Sequence, residues 1–79
     1  MVTTATLLRT DKDIERIYHR HVEMLYRVAY SFMKNGADAE DMVQETFIRL
    51  LRSGMVFDSV QHEKAWLIVT VSNLCKSAL

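Results

Sequence analysis

Two glycines and no proline in 79 residues leave this chain few places to break a helix. Proline removes a backbone donor and clashes with the preceding turn, while glycine reaches left-handed backbone at no steric cost, so these two types punctuate long elements. Gly36 and Gly54 are the only such residues, and they divide the chain into three segments. Apolar residues make up 49% of the sequence, too many for a wholly disordered chain. A chain this short has room for one core and buries roughly 60% of its unfolded surface. The expectation is an all-α fold, a compact three-helix bundle, with room for a short extra helical turn near residues 55–60.

Helical period supports each segment. Residues 1–10 read as a flexible tail in which Leu7 and Leu8 are free to fold back on a core. Thr10 or Asp11 then caps a first helix running to about Asn35. Its apolar positions, Ile14, Ile17, Tyr18, Val22, Leu25, Val28, Ala29, Phe32 and Met33, recur in steps of three and four, the signature of an amphipathic helix. Arg16, Arg20, Arg27, His19 and Glu23 fall on the wet side. Asn35-Gly36 reads as its C-cap.

The second helix opens at Asp38, an N-cap residue type, with Asp41 at capping-box-like spacing, and runs to about Arg52. Asp38, Glu40 and Asp41 at its start and Arg49 and Arg52 at its end complement the helix dipole, and Glu45 and Arg49 form an i,i+4 pair. One side carries Ala39, Met42, Val43, Thr46 and Leu50; the other carries Asp41, Gln44, Glu45, Ile48 and Arg52. The second side is either a solvated face or a surface for a partner.

Ser53-Gly54 closes that helix, and Met55 to Gln61 forms a loop with a cap residue in Asp58 or Ser59. The run from Trp66 to Val71 is nearly all apolar and rich in β-branched residues, a strand-like composition. With no second strand to pair with, helical steps through Trp66, Val69/Thr70 and Asn73/Leu74, and a cap in place, it is expected to be a buried helix from about Gln61 to the end.

Ten Lys plus Arg balance ten Asp plus Glu, so the global charge excess of a duplex binder is absent and any DNA contact rests on a local patch. Cys75 is the sole cysteine, which excludes an intrachain disulfide and suits a reducing cytosol. There is no signal-peptide pattern and no apolar run of about 20 residues, so no membrane insertion is expected. His19, His21, His62 and Cys75 have no metal-ligand spacing. They read as surface histidines and a small core cysteine. No cofactor motif or catalytic constellation supports an enzyme. One patch remains: the loop Met55–Lys64 with Val69, Asn73 and Lys76 along one side of the last helix. Asn is poor inside a helix, so Asn73 either points to water or makes a specific contact. Asn can bond base edges and Lys a phosphate, while Phe57 and Trp66 are either core residues or stacking platforms.

The block from Ala39 to Leu50, Ala-Glu-Asp-Met-Val-Gln-Glu-Thr-Phe-Ile-Arg-Leu, resembles the Ala-Glu-Asp-hydrophobic-hydrophobic-Gln-Glu-x-Phe block of bacterial RNA polymerase sigma factors. It is most similar to the extracytoplasmic-function subgroup. Asp13-Ile14-Glu15 to Tyr18, Leu25-Tyr26 and Ala29 resemble the first helix of the region-2 domain, and Lys64-Ala65-Trp66-Leu67 with Asn73-Leu74 resembles its last. The likeness covers about residues 12 to 79.

The resemblance implies that the second helix docks on the clamp coiled coil of the largest polymerase subunit through Asp41, Gln44, Glu45, Ile48 and Arg52. It implies that Phe57, Asp58, Lys64, Val69, Asn73 and Lys76 meet the −10 promoter element, mainly the single-stranded non-template strand, with the loop capturing a flipped base. It also implies cytoplasmic action and control by an anti-sigma factor. There are departures. The family usually has a basic residue near Val69 and more beyond Asn73; here Lys76 stands alone, and Ser77 occupies a position often acidic. The second domain, which reads the −35 element, is expected to be absent, leaving residues 11–79 as one region-2 domain that binds DNA weakly alone. The alternative expectation is a sigma-like interaction module that binds polymerase or an anti-sigma factor without reading DNA.

Overall fold

The computed structural model describes residues 11–79, which form three helices: α1 (Asp11–Met33), α2 (Gly36–Ser53) and α3 (Val60–Ala78). No strand occurs among the described residues, and the expected extra turn near 55–60 is irregular chain up to Ser59. The tail with Leu7 and Leu8, and a cap at Thr10, lie outside the described residues.

The helix ends differ from the sequence reading at one junction. Asn35, not Asp38, is the N-cap of α2: its side chain accepts from the Asp38 backbone N–H at 2.9 Å and its Nδ2 donates to the Asp38 carboxylate at 2.7 Å. Asp38 is thus the reciprocal residue of the cap. Gly36 is not the C-cap of α1 either. Lys34 takes the left-handed conformation (φ 66°), and its N–H bonds the Tyr30 carbonyl at 2.9 Å. Gly36 matters for space: a Cβ there would lie 3.1 Å from the Tyr26 hydroxyl. Gly54 does close α2, at φ 65°. Ser59 caps α3 by accepting from the His62 N–H at 3.0 Å. With that cap and burial against two helices, the β-branched run of α3 is helical throughout, tertiary packing overriding propensity.

Each helix gives one stripe to a common core. α1 contributes Ile17, Leu25 and Ala29; α2 contributes Ala39, Val43, Phe47 and Leu50; α3 contributes Leu67, Val71 and Cys75. Each fully buried large side chain contributes about 1.5–3 kcal/mol of transfer free energy. Thr46 is buried inside this core and returns its hydroxyl to the Met42 carbonyl at 2.8 Å. Burial among apolar groups pushes the Cys75 thiol above its ordinary pKa, so it stays protonated and weakly nucleophilic. Tyr18, on the α1 stripe by spacing, is 42% exposed and rests its ring on Phe47 at 5.0 Å.

Candidate functional site

Two surfaces remain after the core is formed. The first is the outer face of α2. Asp41, Gln44, Ile48 and Arg52 are exposed and Glu45 is half-buried. Spacings of three and four residues align them on one side. Ile48, 38% exposed, is joined one turn on by Leu51, 54% exposed, which the sequence reading passed over. Arg49 and Glu45 approach to 3.9 Å on the surface, a separation that holds neither side chain firmly. Beside this face lies a groove of about 550 Å³ between α1 and α2, walled by Tyr18, Val22, Tyr26 and Val43 and edged by Gln44.

The second surface is built from the α2–α3 loop and the outer side of α3. Asp58, Lys64, Val69, Asn73 and Lys76 are exposed and Phe57 is half-buried. At about 100° per residue, Val69, Asn73 and Lys76 share the side of α3 opposite the core, together with His62 and Trp66. Lys64 is roughly half a turn from Asn73 and does not join them. Phe57 and Trp66 take the core role weighed for them. They pack against the core, yet Phe57 also sets its ring at 5.2 Å from His62 and 5.9 Å from Trp66, edge on to both. Asp58 bonds the His62 ring at 3.1 Å while 88% of its side chain stays exposed.

Sequence reasoning missed the polar cluster beneath that loop. His21, read as a surface histidine, is 4% exposed, and Glu63 is 8% exposed. Glu63 Oε1 accepts from Arg20 Nη1 at 2.6 Å and lies 2.8 Å from His21 Nε2. The cluster ties the middle of α1 to the first turn of α3. The clue was present in the spacing. Glu63, Leu67, Val71 and Cys75 are four apart, as are Ile17, His21, Leu25 and Ala29, so each polar residue sits inside a buried stripe. A cavity of about 230 Å³ opens beside the cluster, with Arg16, Ile17 and Arg20 from α1 on one side and Val56, Phe57 and Glu63 on the other. Arg16 pairs with Asp13. Asp13 also lines the cavity, so the two arginines there are balanced by two carboxylates. Among the described residues no three His, Cys, Asp or Glu side chains converge as a metal ligand set would.

Comparison with known proteins finds relatives of the whole domain. The family model for sigma-70 region 2 matches residues 17–79. The ECF RNA polymerase sigma factor SigE of Mycolicibacterium smegmatis is 38% identical over 60 residues, covering 76% of this chain and 23% of the relative. The probable ECF sigma factor SigI of Mycobacterium tuberculosis is 37% identical over 62 residues, 78% of this chain and 21% of the relative. SigX of Bacillus subtilis is 29% identical over 58 residues, 73% of this chain and 30% of the relative. The chain therefore spans less than a third of the length of these relatives. No solved structure matches it.

Proposed function

This chain belongs to the sigma-70 region 2 family and is an ECF-type sigma factor domain, and from that membership we propose that it acts in transcription initiation by joining polymerase core to promoter DNA. The outer face of α2 is the core-binding surface, through Asp41, Gln44, Glu45, Ile48 and Arg52 against the clamp coiled coil. The loop and α3 are the −10 surface, where Phe57, Asp58, Val69, Asn73 and Lys76 meet the unpaired non-template strand and Lys64 lies to one side. The protein works where polymerase is, in the cytoplasm, under an anti-sigma factor that competes for the same surfaces. Among the described residues no helix is long and apolar enough to cross a membrane.

The observation that carries the core-binding reading is the exposure of the α2 stripe. Asp41, Gln44 and Arg52 are exposed there, with Ile48 38% and Leu51 54% exposed beside them. An exposed pair of aliphatic side chains within a polar rim suits a reversible protein interface. The test is binding of the chain to fluorescently labelled core polymerase. Gln44→Ala combined with Glu45→Ala is expected to weaken binding at least tenfold, on the order of 1.4 kcal/mol, with the helical circular dichroism signal unchanged. Unchanged affinity refutes the assignment, and loss of the helical signal makes the pair structural.

A second reading, binding of polymerase or an anti-sigma factor without DNA readout, is favoured by one observation. The outer side of α3 carries a single cation, Lys76, on a chain of zero net charge. Single-stranded DNA bound no more tightly by the core complex than by core alone would establish it.

A further inference from the structure

We propose that Asn35 is a site of spontaneous covalent modification. Its side-chain amide closes on the Gly36 backbone nitrogen, loses ammonia and leaves aspartate or isoaspartate at the α1–α2 junction, with Asp38 as the latch that slows the reaction. The proposal is independent of the polymerase and DNA readings above.

The two reacting groups are neighbours in the chain. Asn35 is exposed and glycine follows it. A side chain on the following residue would hinder attack on the Asn35 Cγ by the next backbone nitrogen, and glycine has none. That nitrogen is also free. Gly36 is the first residue of α2, where a backbone N–H has no intrahelical acceptor, and it has no hydrogen bond to any other described residue. In the first step the Gly36 nitrogen bonds to Cγ as the Cγ–Nδ2 bond breaks, and the nitrogen's proton leaves on ammonia. The product is a five-membered succinimide. Water then adds to one of its two carbonyls. Opening at Cγ restores the main chain with aspartate; opening at the main-chain carbonyl routes the chain through the side chain as isoaspartate. Nothing is oxidised, and water is the only co-reactant.

The folded junction restrains this chemistry. Ring closure needs the Gly36 nitrogen eclipsed with Cβ, and the extended backbone of Asn35, at φ −151° and ψ 154°, does not place it there. The side chain is tethered as well. Oδ1 accepts from the Asp38 N–H at 2.9 Å, and Nδ2 donates to the Asp38 carboxylate at 2.7 Å and to the Met33 carbonyl at 3.3 Å. Reaction therefore proceeds from a junction whose cap has opened, a local event that precedes global unfolding at exposed helix ends. Lys34 favours that opening, because it holds a left-handed conformation (φ 66°) that a non-glycine residue adopts only under strain. Modification then makes the opening permanent. Aspartate at position 35 replaces the Nδ2 donor by an oxygen beside the Asp38 carboxylate, turning an attraction into a repulsion between like charges. Isoaspartate adds a methylene to the main chain where the Tyr26 hydroxyl already leaves little room.

The test incubates the purified chain at mildly alkaline pH, folded and in urea, and follows by peptide mass mapping the replacement of an amide by an acid, with enzymatic methylation to detect isoaspartate. The expected result is modification at Asn35 and not at Asn73, which leucine follows, at a lower rate in the folded chain than in urea. Asp38→Ala is expected to speed the folded reaction about fivefold by removing one charged hydrogen bond and to leave the rate in urea unchanged. Should Asp38→Ala lose its helical circular dichroism signal, the isosteric Asp38→Asn is expected to give about twofold. Asn35→Ser, which retains a capping oxygen, is expected to abolish the modification and to keep its melting midpoint on ageing, while the aged wild type melts lower. A folded chain that stays unmodified while the chain in urea reacts, or a preference for Asn73, overturns the proposal. Equal rates folded and in urea, or an unchanged folded rate in both Asp38 variants, overturns the latch.

Discussion

Glu63 stands where the four-residue step through Leu67, Val71 and Cys75 calls for an apolar side chain, and His21 stands likewise in the stripe of Ile17, Leu25 and Ala29. Neither is tolerable alone, because a buried polar group without a partner costs about 1–3 kcal/mol. Together, with Arg20, they leave no buried polar side-chain atom unsatisfied among the described residues. His21→Ala removes a ring from a nearly closed site and takes one bond from Glu63, so it is expected to lower unfolding free energy by about 2–3 kcal/mol. Urea denaturation followed by circular dichroism measures this. A loss below about 0.5 kcal/mol would mean that water replaces the imidazole at no cost. Composition hid the cluster, since His and Glu are usually surface residues. A pattern reading that treated every residue on the stripe as buried would have found it. What no pattern supplies is that the two stripes meet at these two residues, 42 positions apart in the chain.

At the scale of elements, all three helices were legible and one junction was not. Periodicity located α1 and α2, whereas α3 needed its cap and the lack of a partner strand as well, and the residues it buries are Glu63, Leu67, Val71 and Cys75 rather than the steps through Trp66, Val69/Thr70 and Asn73/Leu74. The α1–α2 turn was misread because glycine was assigned the left-handed position. The chain puts Lys34 there instead and uses Gly36 inside α2, where the Tyr26 hydroxyl leaves little room for a Cβ. The α2–α3 turn followed the expected chemistry, with Gly54 left-handed and Ser59 as cap. Gly54 has no side-chain neighbour within 4 Å of where a Cβ would be, so the cost of replacing it is conformational alone. Gly54→Ala is expected to destabilise the domain by about 1 kcal/mol through left-handed strain, read as a lower midpoint in thermal melting. No change in the midpoint would show that the turn can re-form with another residue taking the strain.

At the scale of the molecule, three helices bury one core and leave two surfaces to which functions are proposed: the outer side of α2, and the α2–α3 loop with the far side of α3. Zero net charge means that the domain has no long-range attraction for DNA, so binding depends on local groups and on the partner that brings the DNA near. Single-stranded −10 DNA is therefore expected to bind the core complex at least tenfold more tightly than the isolated chain. Asn73→Ala is expected to cost the complex about 1 kcal/mol or more with little effect on the isolated chain. Fluorescence anisotropy at fixed salt measures both, and equal loss in the two settings would remove Asn73 from base readout. The amino-acid sequence by itself determined the number and type of elements, the stop at Gly54, a cap for α3 at Asp58 or Ser59, the polar stripe of α2 and the family, because each is encoded within one segment of local spacing. Only the tertiary structure decided that Arg16 and Arg20 from α1 stand beside Phe57, and that His21 and Glu63 close a buried joint. Those facts depend on how one helix is rotated against another, and that rotation is set by packing of the whole core rather than by any stretch of chain.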